Sequence, residues 1–224
     1  MNNEIINTLI IYAADEGKLK ILLKKNQEEP YKGYWILPNK KLTPDISMES
    51  NIKNIFKETT NINCDKIMQG EIYDNKTENG TVLEVTNVCI TDKDIVDYKK
   101  PKDFEWFDLD KLPKIGFNHG VIINDSKEKI KEKIICNFSN ILLDIYRSDF
   151  TLSELQKFYE NILGKIIDRR NFRKKIINQG LVIDTGEKTR STTGRPGKLY
   201  RFNKENMEGK IIWTKMVGGW KTLW

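Results

Sequence analysis

A single histidine, His119, and three scattered cysteines, Cys64, Cys89 and Cys136, are all that this chain of 224 residues offers for the chemistry of those side chains. One histidine argues against a Ser-His-Asp relay and against a histidine-rich metal site. Three cysteines, odd in number and far apart, argue against a disulfide framework and a zinc site, and fit a reducing cytoplasm. No run approaches the ~18 apolar residues that a membrane span needs. The start, Met-Asn-Asn-Glu, lacks the basic stretch of a signal peptide. A cytoplasmic chain with no membrane partner and no cofactor is therefore expected. Its length allows one large domain or two small ones.

Arginine is scarce, and its placement is uneven. Of seven arginines only Arg147 precedes Asp149; Arg169, Arg170, Arg173, Arg190, Arg195 and Arg201 follow it. The net charge of +6 divides the same way. Residues before Asp149 hold 22 basic and 24 acidic side chains, net −2, and the remainder hold 16 and 8, net +8. Arginine's planar fork suits phosphates and guanine edges, whereas lysine often serves only as a solubilising charge. A bias toward Lys, Asn and Ile along the whole chain explains the lysines but not the clustered arginines. A near-neutral body joined to a basic reader of nucleic acid is the arrangement this suggests.

The first half reads as strands with one clear helix. Asn7–Ala13 and Lys18–Lys24 flank Asp15-Glu16-Gly17, a hairpin signal. Trp35–Leu37 is a short apolar stretch ending at Pro38. Ser47 opens a helix with Met48, Ile52, Ile55, Phe56 and Thr59 at helical spacing. Glu71–Tyr73 and Val82–Thr91 read as strands around the polar turn Asn75–Gly80, and Phe104–Leu109 as another. The order predicts a mixed α/β sandwich. From Ile122 to Arg147 the pattern is helical, with Lys127–Lys133 a solvated face. No Pro/Gly/Ser linker marks a boundary.

The basic part has three legible pieces. Thr151-Leu152-Ser153-Glu154 is a capping box, with Leu152, Leu155, Phe158, Tyr159 and Ile162 following at helical spacing and Gly164 closing the helix. Asp168 caps a second helix, with Phe172, Ile176 and Ile177 inward, Arg169, Arg170, Asn171, Arg173 and Lys174 in its first turns, and Gly180 after it. Leu181–Thr185 and Lys198–Phe202 read as two strands around the basic tip Gly186–Gly197. Helix, turn, basic helix and basic hairpin form the order of a winged helix-turn-helix (α+β). Such a recognition helix puts its first residues at base edges, where arginine grips guanine and asparagine grips adenine. The candidate DNA contacts are Thr151, Arg169, Arg170, Asn171, Arg173 and Lys174, with Arg190, Arg195 and Lys198 of the hairpin reaching phosphates or the minor groove. A solvated surface helix and a plain loop would explain the charges alone, but not the paired caps and the arginine placement together.

Trp35-Ile36-Leu37-Pro38, the helix Ser47–Thr60 and Asn61-Ile62 resemble the Nudix domain. Aligned on that family's box, the first glycine falls on Lys40 and the first glutamate on Ile46. The Arg-Glu pair falls on Asn54 and Ile55, and the paired glutamates on Glu58 and Thr59. Nudix hydrolysis uses magnesium held by several carboxylates of one helix. Glu58 is the only carboxylate from Asn51 through Ile62, so no catalytic residue, no metal and no hydrolase activity are expected.

Phe150–Gly164, Asp168–Lys175 and Gly194–Phe202 are similar to the C-terminal domain of the Nudix-related transcriptional regulators, and Trp106–Pro113 with Phe117-Asn118-His119 fits the end of their Nudix domain. The resemblance implies a Nudix-like α/β/α sandwich over 1–120, a connecting helical segment over 121–148 and a winged helix-turn-helix over 149–204. It also implies a homodimer that binds a palindromic operator in double-stranded DNA and usually represses. The implied effector is ADP-ribose, a nucleotide sugar, or a sugar such as arabinose. The box glycines are absent here, and Asp74–Gly80 lacks the arginine many members carry before the next strand. His119 reads as a structural residue at a helix start. The tryptophan-rich extension 205–224 has no counterpart in the family; a strand or two burying Trp213, Trp220 and Trp224 is the expectation. Two alternatives remain open: a magnesium-dependent Nudix hydrolase with carboxylates from elsewhere, such as Glu71 or Glu78, and an RNA-binding winged helix.

Overall fold

The computed structural model describes residues 4–63, 66–77, 80–136, 138–189 and 196–207. They fall into two compact units, one within 1–13 and 20–127 and one within 14–19 and 128–224.

The first unit is built on a mixed sheet. Strands β1 (Glu4–Asp15) and β2 (Lys18–Lys25) form the expected hairpin. Glu16 and Gly17 both take positive φ at its turn, the geometry that matches the twist of the flanking strands. Then come β3 (Trp35–Ile36), β4 (Asn39–Lys41), helix α1 (Met48–Thr60), β5 (Met68–Thr77), β6 (Gly80–Ile90), α2 (Lys93–Asp97) and β7 (Phe104–Asp108). The main path runs β3-β2-β1-β6-β5, with β4 pairing β1 and β7 pairing β2. β1 and β6 lie parallel, Ile6 opposite Glu84 and Ile11 opposite Cys89.

Alternation along β1 sorts its side chains between the two faces of the sheet. Leu9 and Ile11 pack with Leu22 and Cys89 against Ile52, Ile55 and Phe56 of α1. That burial is why the box helix stays on the sheet, since its buried positions repeat at helical spacing. Ser47 caps it by accepting from the Ser50 amide, and Asn61 ends it in the left-handed conformation. Met48 does not join this stripe: it lies on the first turn and is exposed. Tyr12 points the other way and donates to Ser126 of α3 (His119–Cys136) at 3.0 Å, while Tyr73 of β5 donates to Asp125 at 3.1 Å. The sheet thus lies between α1 and α3, the α/β/α order that the sequence implied. Burial pushes the Tyr73 hydroxyl up to about 12, helped by its bond to the Asp125 carboxylate.

The second unit holds α4 (Phe138–Ile145), β8 (Phe150–Thr151), α5 (Leu152–Leu163), α6 (Arg169–Asn178), β9 (Val182–Lys188), β10 (Lys198–Phe202) and α7 (Lys204–Met207). β8, β10 and β9 form a small antiparallel sheet in that order. Its core is aromatic: Tyr146 meets Phe150, Phe158 and Phe202, and Tyr159 meets Phe172 edge-on. The predicted inward residues of α5 are all buried, as are Phe172 and Ile176 of α6, but Ile177 is 48% exposed. It sits one step off the buried stripe. Glu205–Met207, the described start of the extension, belong to the helical turn α7, which buries Met207; the strand or two expected of the extension lies with residues outside the described ones. Trp213, Trp220 and Trp224 lie outside the described residues. Among the described residues no helix is long and apolar enough to cross a membrane.

Candidate functional site

The basic helix α6 is capped at its start and exposes most of its charged residues. Asp168 caps α6 by accepting from the Asn171 amide at 2.8 Å. With its first turn fixed, α6 leaves Arg169, Arg170, Asn171 and Lys174 exposed. Arg173 differs. Its guanidinium is half-buried and donates to Ser153 Oγ at 3.0 Å, bracing α6 on the first turn of α5. Thr151 caps α5: its hydroxyl accepts from the Glu154 amide at 3.2 Å, and the Glu154 carboxylate accepts from the Thr151 amide at 2.8 Å. Lys198 projects from β10 and pairs with Asp184 of β9 at 2.7 Å. That partner holds Lys198 above its usual range, and Lys198 in turn holds the Asp184 carboxyl low. Arg201, not among the predicted contacts, is tied to Asp149 at 2.8 Å. Arg190 and Arg195 lie outside the described residues.

The box positions of the first unit make a different picture. Lys40, on β4, sits opposite Asn7 of β1 and extends its ammonium to Glu58 of α1 at 2.7 Å. Ile46 is half-buried ahead of the helix, Asn54 is exposed, and Ile55 is buried in the core. Thr59 is also buried and donates back to the Ile55 carbonyl at 2.7 Å. Of these positions, Lys40 and Glu58 meet between β4 and α1, while Ile55 and Thr59 meet within α1. Among the described residues no group of three or more carboxylate, histidine or cysteine side chains is placed to hold a metal ion.

A cavity of about 660 Å³ opens in the same unit. Its lining includes Glu84, His119, Asn75 and Asn118, the cation Lys24, and the rings of Tyr31 and Phe117. Glu84 is 4% exposed and is the one charged residue between Thr81 and Thr91. Thr8 donates to its Oε1 at 2.6 Å, and His119 Nε2 lies 3.1 Å from the same atom. His119 Nδ1 accepts from the Leu37 amide at 2.9 Å, so the ring proton sits on Nε2 and points at Glu84. Burial alone raises the Glu84 carboxyl, but the hydrogen bonds from His119 and Thr8 outweigh it and hold the group below the usual glutamate range.

At the lip, Phe117 takes a positive φ of 55° and packs at a tilt against Tyr31 with ring centres 4.7 Å apart. A Cβ at Gly116 would stand 2.9 Å from that of Tyr31, so the close approach of the two segments requires glycine there. Sequence reasoning found His119 as a helix-start residue and missed Glu84. The available signal was one carboxylate inside an otherwise uncharged strand.

Comparison with known proteins agrees with this layout. The family described as the NrtR DNA-binding winged helix domain matches residues 145–202. The ADPR responsive transcriptional repressor NtrR of Acinetobacter baylyi is 26% identical over 202 residues, which cover 87% of this chain and 80% of that protein. The crystal structure of Shewanella oneidensis NrtR complexed with a 27mer DNA is similar with a TM-score of 0.70 and 25% identity, covering 91% of this chain and 95% of that one. The Nudix domain of the same Shewanella protein, complexed with ADP ribose, shares the fold at a TM-score of 0.50 and 19% identity. That likeness covers 58% of this chain and 90% of that one.

Proposed function

We propose, on the premise that the chain is built as a Nudix-related transcriptional regulator with an NrtR-type winged helix, that it is a DNA-binding repressor governed by a small effector. ADP-ribose is the first candidate for that effector, because the Acinetobacter relative responds to it and the Nudix domain of the Shewanella relative binds it. The observation that carries the reading is α6. Asp168 fixes its first turn, and Arg169, Arg170, Asn171 and Lys174 stand free in solvent at the end that enters the major groove.

In this reading residues 1–120 sense, 121–148 connect, 149–204 read DNA and 205–224 extend the reader. Arg170 and Asn171 contact base edges. Thr151, Arg169, Lys174 and Lys198 contact phosphates, as do Arg190 and Arg195 of the wing, with Arg173 bracing the pair of helices. Two copies related by a two-fold axis place two recognition helices on a palindromic operator, one DNA turn apart. The cytoplasm is the expected place of work. The sensor binds its effector without cleaving it: Glu58 is engaged by Lys40, and Ile55 and Thr59 fill box positions with buried side chains.

Fluorescence anisotropy with labelled duplex from upstream of the protein's own gene tests the reading. At physiological salt that duplex should bind at least tenfold tighter than a shuffled one. Equal binding of the shuffled duplex, or tighter binding of RNA of the same sequence, overturns it.

A further inference from the structure

The cavity of the first unit has a floor of unusual charge. Glu84 is buried, held ionised, and faced by hydrogen-bond donors: the Thr8 hydroxyl, His119 Nε2–H, and more distantly the Asn75 amide at 3.4 Å. The Leu37 amide donates to the other nitrogen of His119, which leaves Nε2–H to face Glu84. An ionised carboxylate accepts hydrogen bonds and donates none. In a setting of low dielectric it repels a second anion strongly. A phosphate oxygen therefore has no place on this floor, while a hydroxyl or amine hydrogen does.

The rest of the cavity has the same character. Asn75 and Asn118 are bonded to one another at 3.0 Å and present amides, which both donate and accept. Tyr31 and Phe117 offer aromatic faces at the lip, and Phe117 does so from a left-handed backbone position that is strained in a non-glycine residue. Lys24 is the one cation among the lining residues; it projects from β2, on the other side of β1 from the strand that carries Glu84.

We propose that Glu84 is the specificity-determining residue of this cavity, which takes the uncharged, donor-bearing ring of an effector while its phosphates lie toward Lys24 or outside. Nucleoside bases and sugars share that chemistry, and the effector in the preceding reading contains both. The inference rests on that reading for the identity of the whole ligand, but not for the exclusion of phosphate.

Ligand-observed NMR titrations of the full chain with ADP-ribose, adenosine, ribose and pyrophosphate test it, on wild type, Glu84→Gln and Asn75→Ala. Adenosine or ribose should bind wild type, whichever of the two matches the floor, and Glu84→Gln should weaken that fragment and ADP-ribose at least tenfold. Pyrophosphate should bind Glu84→Gln as well as wild type or better. Asn75→Ala, at a half-buried position, should weaken the same fragment, and guards against a Glu84 variant that merely fails to fold. Pyrophosphate losing as much affinity as the ring fragment in Glu84→Gln overturns the proposal and leaves ADP-ribose as effector. Failure of ADP-ribose alone, with a Glu84-dependent fragment still bound, overturns the effector and upholds the floor. No binding of any of the four overturns both.

Discussion

Lys40 Nζ lies 2.7 Å from Glu58 Oε1, so the cation standing where a Nudix box carries its glycine engages the only carboxylate between Asn51 and Ile62. Both side chains are at least half exposed, which keeps the pair's contribution to stability within ~0–1 kcal/mol. Its effect is on chemistry, since a single paired carboxylate cannot supply the several oxygens that magnesium requires. Neither the wild-type chain nor Lys40→Ala should turn over ADP-ribose or a nucleoside diphosphate with magnesium present. Metal-dependent product formation in phosphate-release or chromatographic assays of either protein would contradict this.

The two arginines of α6 should separate. Arg170→Ala should cost about 1–3 kcal/mol of specific binding, roughly 5- to 150-fold, and relax the sequence preference at one base pair. Arg173→Ala also removes the bond to Ser153, so it should lower both the affinity and the stability of the helix pair, with a smaller change in preference. Competition binding against a panel of single-base operator variants, with melting curves alongside, distinguishes them. Identical preference profiles for wild type and Arg170→Ala would remove Arg170 from the base contacts.

Helix caps make a stability prediction. Thr151→Ala breaks one half of a reciprocal capping box and should destabilise the winged helix by ~1 kcal/mol. Asp168→Ala should do the same for α6, where the cap accepts from Asn171. Urea unfolding of the full chain, followed by aromatic fluorescence, reads both, and unchanged midpoints would mean that neither cap matters.

These caps were legible from the sequence because they are local. Ser47, Thr151 and Asp168 each satisfy an amide within three residues, and the apolar stripes behind them repeat at helical spacing. β4 was not legible, since Asn39, Lys40 and Lys41 are exposed and polar, and are a strand only because β1 pairs with them. The same holds for Glu84 and His119, which meet across 35 positions of the chain. Nothing near either residue announces the partner. Ile177 shows the limit of periodicity at one-residue resolution: its neighbour Ile176 takes the buried position and leaves it outside.

Glu84 gives the first unit an acid sensitivity of definite sign. Its folded carboxyl is held below the usual glutamate range by His119 and Thr8, which overcome the upward push of burial. The stabilisation is whole above the unfolded glutamate range and is lost as pH falls through the lower folded value. Wild type should therefore be more stable than Glu84→Gln at neutral pH, with the gap closing in acid. A gap that stays constant across that range in urea titrations would show that the carboxylate's charge contributes nothing.

The central claim is that one chain couples a ring-binding cavity to a DNA reader. Titration of ADP-ribose into the preformed complex with labelled duplex from the gene's own upstream region, followed by anisotropy, tests this most directly. The account predicts saturable release of the specific duplex by ADP-ribose, with ADP-ribose left intact at the end point. Release by no concentration of ADP-ribose, or release that tracks its cleavage, would contradict it.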